Sequence, residues 1–174
     1  DRFSSFPMRT LGAFLAGRGL GGAGILWGGI SARFHPHGFR SKSLKRHLLD
    51  QPWAKDFDYL DWPISYADIE PDYCWAEQIL GVATTAELAP ERYPRSKSVP
   101  GQPLVMGQKA ARLAKAASAI GLQVTEMPAA VSFGSYLNPL GVERGVNSEF
   151  GYSLATPLNT LWPFAFASGN LDVR

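Results

Sequence analysis

The chain has 174 residues, and its net charge of +2 gives no basic field of the kind that binds nucleic acid. Its single cysteine, Cys74, excludes an internal disulfide and any cysteine-based zinc site. No run of 18 apolar residues occurs, so no segment reads as a membrane-spanning helix. Apolar content is 45%, charged content only 18%, and 13 prolines interrupt the chain. That balance predicts a loop-rich α/β body, α+β if the chain is an isolated piece.

In chain order, residues 9–18 read as a short helix feeding a glycine run, "GLGGAGILWGG". Residues 35–62 are loop-rich, with one helical stretch around "SKSLKRHLLD". In "DWPISYADIEPDYCWAEQILGV", Ser65 and Asp68 form a capping box that opens a helix. Pro71 suits the first turn of a second helical segment. Tyr73, Ala76, Ile79 and Leu80 share its apolar face, and Gly81 ends it. A connector rich in proline and charge covers 83–106. A further helix is predicted over 107–120, with Ala110, Leu113, Ala114, Ala117 and Ile120 as a buried stripe and Gly121 as its stop. "LQVTEMPAAVSF" reads as a strand region broken by Pro128, "TPLNTLWPFAFASGN" as a last helix, and "LDVR" as the start of a strand.

The glycine run poses the functional question. Gly19, Gly21 and Gly24 satisfy G-x-G-x-x-G. A dinucleotide phosphate loop needs a buried strand before it, a helix opening at its end and an acid about 20 residues on. The preceding "TLGAFLAGR" has no β-branched core. Gly28 and Gly29 would cost a following helix about 2 kcal/mol. No acid follows the run before Asp50. The run therefore does not read as a first phosphate loop. Two uses remain open: close packing of two chain segments, or a flat ligand lying against bare backbone.

Other constellations have simpler explanations. His35, His37 and His47 lack an acid nearby to complete a metal site. Lys42, Lys45, Arg46 and His47 read as a solvated basic face. There is no G-x-S-x-G elbow. Cys74, within an amphipathic helix, reads as a packed thiol. Asp56 with Asp58, and Asp61 with Asp68, fall at loop and cap positions. No catalytic residue and no metal ligand is assigned.

Three blocks together carry a resemblance. "GLGGAGILWGGISARFHPHGF" places Gly19, Gly21, Gly22, Trp27, Arg33, Phe34, Pro36 and Phe39 at the positions of a flavin-contacting segment. "DWPISYADIEPDYCWAEQILGV" and "YLNPLGVERG" agree with two later blocks of the same family, and "SGNLDVR" with a return into its flavin domain. On these motifs the chain resembles the glucose–methanol–choline (GMC) oxidoreductase superfamily, nearest to flavoprotein subunits of the gluconate dehydrogenase type. The resemblance implies contacts to FAD from Gly21, Gly22, Ala23, Gly24, Leu26, Trp27, Gly28 and Gly29. It implies residues 1–49 in a flavin domain, 50–135 in a substrate and cap region, and 136–174 returning to the flavin domain.

The implied activity is oxidation of a CH–OH group of an alcohol or sugar. The electron acceptor is open, with a cytochrome or a small partner subunit among the candidates. Leu26 stands where some relatives carry a histidine bonded to the flavin, so the FAD is expected to be non-covalent. The family's first phosphate loop and its catalytic histidine region find no counterpart here, and the chain reads as an internal piece of a longer enzyme. The competing expectation is a non-enzymatic module whose tryptophans bind carbohydrate or peptide.

Overall fold

The computed structural model describes residues 19–44, 59–84, 93–102, 106–146 and 151–173. The expected helix over 9–18, and Lys45, Arg46, His47, Asp56 and Asp58, lie outside them.

The glycine run forms a 3₁₀ turn, Gly22–Leu26, entered through Gly21 at φ 85°. After a second 3₁₀ turn, Pro36–Arg40, the chain continues into α1, Ser41–Leu44. The dominant element is α2, Tyr66–Leu80. Its N-terminus is the expected capping box: Asp68 accepts from the Ser65 backbone N–H at 2.7 Å, and Ser65 Oγ accepts from the Asp68 N–H at 3.4 Å. Gly81 closes it in the left-handed conformation, φ 61°.

Two expectations about this helix are corrected. Pro71 does not begin a second segment. It sits inside one continuous helix, where it leaves the Ala67 carbonyl without its N–H partner. Of the expected apolar face, Ile79 is buried and Tyr73 and Leu80 are half-buried, but Ala76 is not part of it. Tyr66, Cys74, Glu77 and Ile79 are buried, whereas Ala76 is exposed. The helix turns a largely polar stripe inward because that stripe has a charged partner, described below.

The C-terminus of α2 is satisfied residue by residue. A helix leaves its last four carbonyls without intrahelical partners. Here Glu77 O accepts from the Gly81 and Val82 N–H groups. Tyr136 Oη–H donates to Gln78 O, Asn138 Nδ2–H to Ile79 O at 3.4 Å, and Arg144 Nη1–H to Leu80 O at 2.7 Å. The three side chains come from one antiparallel hairpin, β2 Tyr136–Leu137 with β3 Glu143–Arg144, in which Tyr136 faces Arg144. The Arg144 guanidinium also lies 5.6 Å from the centre of the Tyr136 ring. A cation there complements the negative end of the helix.

The apolar centre is small. Val82, Ala130 and Ala155 are fully buried, with Trp27, Leu80 and Val99 packed on them. Short pairings bind the segments around it. β1, Val131–Ser132, is antiparallel to β4, Ser153–Leu154. Ala129 bridges Ile30 and Ala83, and Ala83 pairs in parallel with Gly101.

The helix expected over 107–120 is present as α3, Gln108–Ala119, followed by Gly121 at φ 76°. Its stripe is not buried, contrary to expectation: Leu113 is 63% and Ile120 74% exposed. The periodicity is that of an amphipathic helix, but no other described element covers the face. The predicted last helix is two, α4 Pro157–Thr160 and α5 Trp162–Ala167. Pro163 explains the break, since it lacks an N–H and crowds the carbonyl of Asn159. In the region of "LQVTEMPAAVSF" the strand is confined to Val131–Ser132, after Pro128. Leu171–Val173 forms no strand. Among the described residues no helix is long and apolar enough to cross a membrane.

Candidate functional site

The segment Gly21–Gly29 sits at the surface, and its glycines divide by what surrounds them. A Cβ on Gly24 would lie 2.7 Å from Pro157 Cγ, and one on Gly29 2.6 Å from Leu154 Cδ1. One on Gly21 would meet Ile25 and Leu158, and φ is positive there and at Gly29. These three glycines let the run pack against 154–158, so the close-packing reading holds for them. Gly22 and Gly28 differ: a Cβ on either would meet nothing within 4 Å. Gly22 still has φ 53°, which favours glycine. Gly28 has neither a positive φ nor a neighbour, so nothing in the described chain requires glycine there. Beside it, Leu26 is half-exposed, Ala23 is exposed, and Trp27 is partly buried with its indole N–H donating to Ile30 O at 3.2 Å.

From Gly28 exposed and buried positions alternate, across the positive φ of 79° at Gly29 and on through Phe34. Gly29 and Arg33 are buried and Ser31 half-buried, whereas Gly28, Ile30, Ala32 and Phe34 face outward. The inner row is held by backbone: Ala130 N–H donates to Gly29 O at 2.7 Å and Ser31 N–H to Pro128 O at 2.8 Å. The outer row is apolar, with Ile30 60% and Phe34 70% exposed.

Arg33 is the anchor of this segment. Its Nε–H and Nη2–H donate to the two oxygens of Glu77 at 2.9 and 2.8 Å, a bidentate pair. Nη1–H donates to Tyr66 Oη at 3.0 Å and Glu70 Oε1 at 3.1 Å, and Nη2–H to Cys74 Sγ at 3.2 Å. The Tyr73 ring lies 5.3 Å from the guanidinium carbon. Burial opposes the charge, but the hydrogen bonds to Glu77, Tyr66 and Cys74 outweigh it and raise the Arg33 pKa. Arg95 pairs with Glu77 from the other side, so two cations face two carboxylates. The connector is therefore fastened to α2 where it is described: Arg95 binds Glu77, and the Ser96 N–H donates to Glu70 Oε1 at 3.0 Å.

This cluster was the main feature missed in the sequence. Tyr66, Glu70, Cys74 and Glu77 recur at intervals of four, four and three, which is one helical stripe. A stripe with two acids on it was a signal for a buried cation. Cys74 is packed as expected, though among polar partners: its thiol donates to Glu70 Oε1 at 2.9 Å.

Burial alone would raise the Glu70 pKa, but hydrogen bonds from Cys74, Ser96 and Arg33 hold it at about 2, against an ordinary 4.5. A depressed folded-state pKa means stability that is present above about 4.5 and lost as pH falls toward 2. Thermal melts of the wild type and Glu70→Gln from about pH 6 downward should show the wild type losing more stability across that window. Parallel losses in both proteins would remove Glu70 as the source.

The remaining candidates do not assemble. Within the second 3₁₀ turn, His35 Nδ1 accepts from the His37 backbone N–H at 3.2 Å, and the two rings are 4.4 Å apart. Among the described residues no group of three metal-ligating side chains occurs. Asp61 accepts from the Ser43 backbone N–H, and Asp68 serves the helix cap.

No family model matches the chain. It is similar to the gluconate 2-dehydrogenase flavoprotein of Pantoea cypripedii. The two are 30% identical over 169 residues, covering 86% of this chain. The chain spans 26% of that relative's length.

Proposed function

We propose that this chain is part of a flavin-dependent dehydrogenase of the GMC type, in which Gly21–Gly29 lies against FAD. The observation that carries the reading is Gly28. It is a glycine with open space among the described residues and no backbone need for it, beside exposed Leu26 and partly buried Trp27, in a chain similar to a named flavoprotein. Gly22, Ala23 and Gly28 offer bare or nearly bare backbone for close approach. Gly21, Gly24 and Gly29 hold that surface in place by packing on 154–158.

Bound FAD would supply the hydride acceptor for oxidation of a CH–OH group in an alcohol or sugar. What these residues contribute is shape and orientation. The acid and base chemistry is assigned to no residue of this chain, and the electron acceptor to no particular partner. Leu26 offers no nucleophile for a covalent link, so the cofactor is held without one.

The test uses the protein at full length. Gly28→Val places a branched side chain where no described residue lies within 4 Å of the Cβ, so folding should be little affected. Flavin occupancy, read as flavin absorbance per mole of folded protein, should drop sharply. Acid precipitation of the wild type should leave the yellow colour in the supernatant. Normal occupancy in a folded Gly28→Val protein, or colour retained on a peptide containing Leu26, would each contradict the reading.

A further inference from the structure

We infer that Arg33 is a positioning residue for the flavin: its grip on Glu77 and Glu70 fixes which face of residues 28–34 is presented to the cofactor. The inference rests on the flavin reading above. Its basis is the alternation along the segment. Arg33 shares the inward row with Gly29 and Ser31, and the outward row begins at Gly28, the residue assigned to the cofactor. Where exposed and buried positions alternate, a slip of one residue exchanges the two rows.

Near Gly29, the inner row is held by two backbone bonds, to Ala130 and Pro128. At its far end the holding group is a guanidinium that donates to both oxygens of Glu77 and also to Glu70, Tyr66 and Cys74. A planar fork of that kind specifies distance and angle together, which a lysine ammonium does not. Gly28 and Arg33 are five residues apart with no glycine or proline between them except Gly29. A displacement at Arg33 therefore has only four residues to cross before the cofactor-facing backbone, two of which, Gly29 and Ser31, are tied to Ala130 and Pro128. The apolar outer row, Ile30, Ala32 and Phe34, would move with it.

The experiment uses the full-length flavoprotein with Arg33→Lys, Glu77→Gln and Glu70→Gln. FAD affinity and the reduction potential of the bound flavin are measured, with circular dichroism as the check on folding. Arg33→Lys and Glu77→Gln should weaken FAD binding by about tenfold, the low end of what the partners that orient metal ligands contribute to metal affinity. The potential of the flavin that remains bound should shift as well. A purely structural role would lower thermal stability but leave the potential of the occupied fraction at the wild-type value, and that result overturns the inference. If Arg33→Lys does not fold, Glu70→Gln removes one charge facing the same guanidinium and keeps the Glu77 pair, and the same two quantities decide. The two readings fail differently. A wild-type protein without bound or bindable FAD removes the flavin reading itself. A flavin site sensitive to Gly28→Val but indifferent to Arg33 and Glu77 removes only the positioning role.

Discussion

Arg33→Ala should destabilise the folded protein by about 3–5 kcal/mol, the usual cost of removing one partner of a buried ion pair. For a chain of this length that is a fall in Tm of roughly 10 °C. The size follows from what is left behind. Glu77 is buried and would keep only Arg95, and Glu70 would lose its cation while still held by Cys74 and Ser96. The guanidinium volume also becomes a cavity beside Tyr66 and Tyr73.

A second variant separates the pair from its packing. Arg33→Met with Glu77→Leu and Glu70→Gln removes the guanidinium together with both carboxylates it faces, and should recover much of the loss, because an apolar replacement of a whole buried pair is often neutral. Arg95, partly exposed, can turn to solvent. A loss under about 1 kcal/mol for Arg33→Ala, within the range of an exposed pair, would show that the network contributes little.

Gly81→Val should cost about 3 kcal/mol, from two sources that can be told apart. The left-handed backbone costs an L-residue about 1–2 kcal/mol. A Cβ at Gly81 would also lie 2.6 Å from Cδ1 of the Tyr136 ring, and forcing extra atoms into packed space costs about 1–3 kcal/mol. The ring cannot swing aside freely, because its hydroxyl is bound to Gln78 O. Gly81→Asn makes the comparison. Asparagine tolerates the left-handed region, so if backbone strain were the whole effect, Asn would nearly restore stability. The contact with Tyr136 means that Asn should remain clearly destabilised in chemical denaturation.

Legibility in the sequence followed the range of the interaction. Ser65, Asp68 and Gly81 were readable because a cap is written within four residues of the turn it closes. The helix at Gln108–Ala119 was readable for the same reason, but the burial of its stripe was not. Periodicity says that a face is apolar, not that anything lies over it. Arg33 and Glu77 are 44 residues apart, and no local pattern connects them. The resemblance had marked Arg33 and the helix in separate blocks, and the structure brings these blocks together with the hairpin block. Tyr136, Asn138 and Arg144 close the helix that Arg33 grips. The glycine run was legible as glycine-dependent. Its division into packed and open positions depended on Leu154, Pro157 and Leu158, more than 120 residues away.

The order of folding follows from how α2 is terminated. Both of its end signals are local, so a nascent helix can form over Tyr66–Leu80 with little loop to close. The hairpin and Arg33 must arrive across 44 to 64 residues, at a greater entropic cost. Substitutions at Ser65 should then slow folding, and those at Arg33 chiefly speed unfolding. Rate measurements giving the reverse partition would mean that the ion cluster, rather than the helix, forms the nucleus.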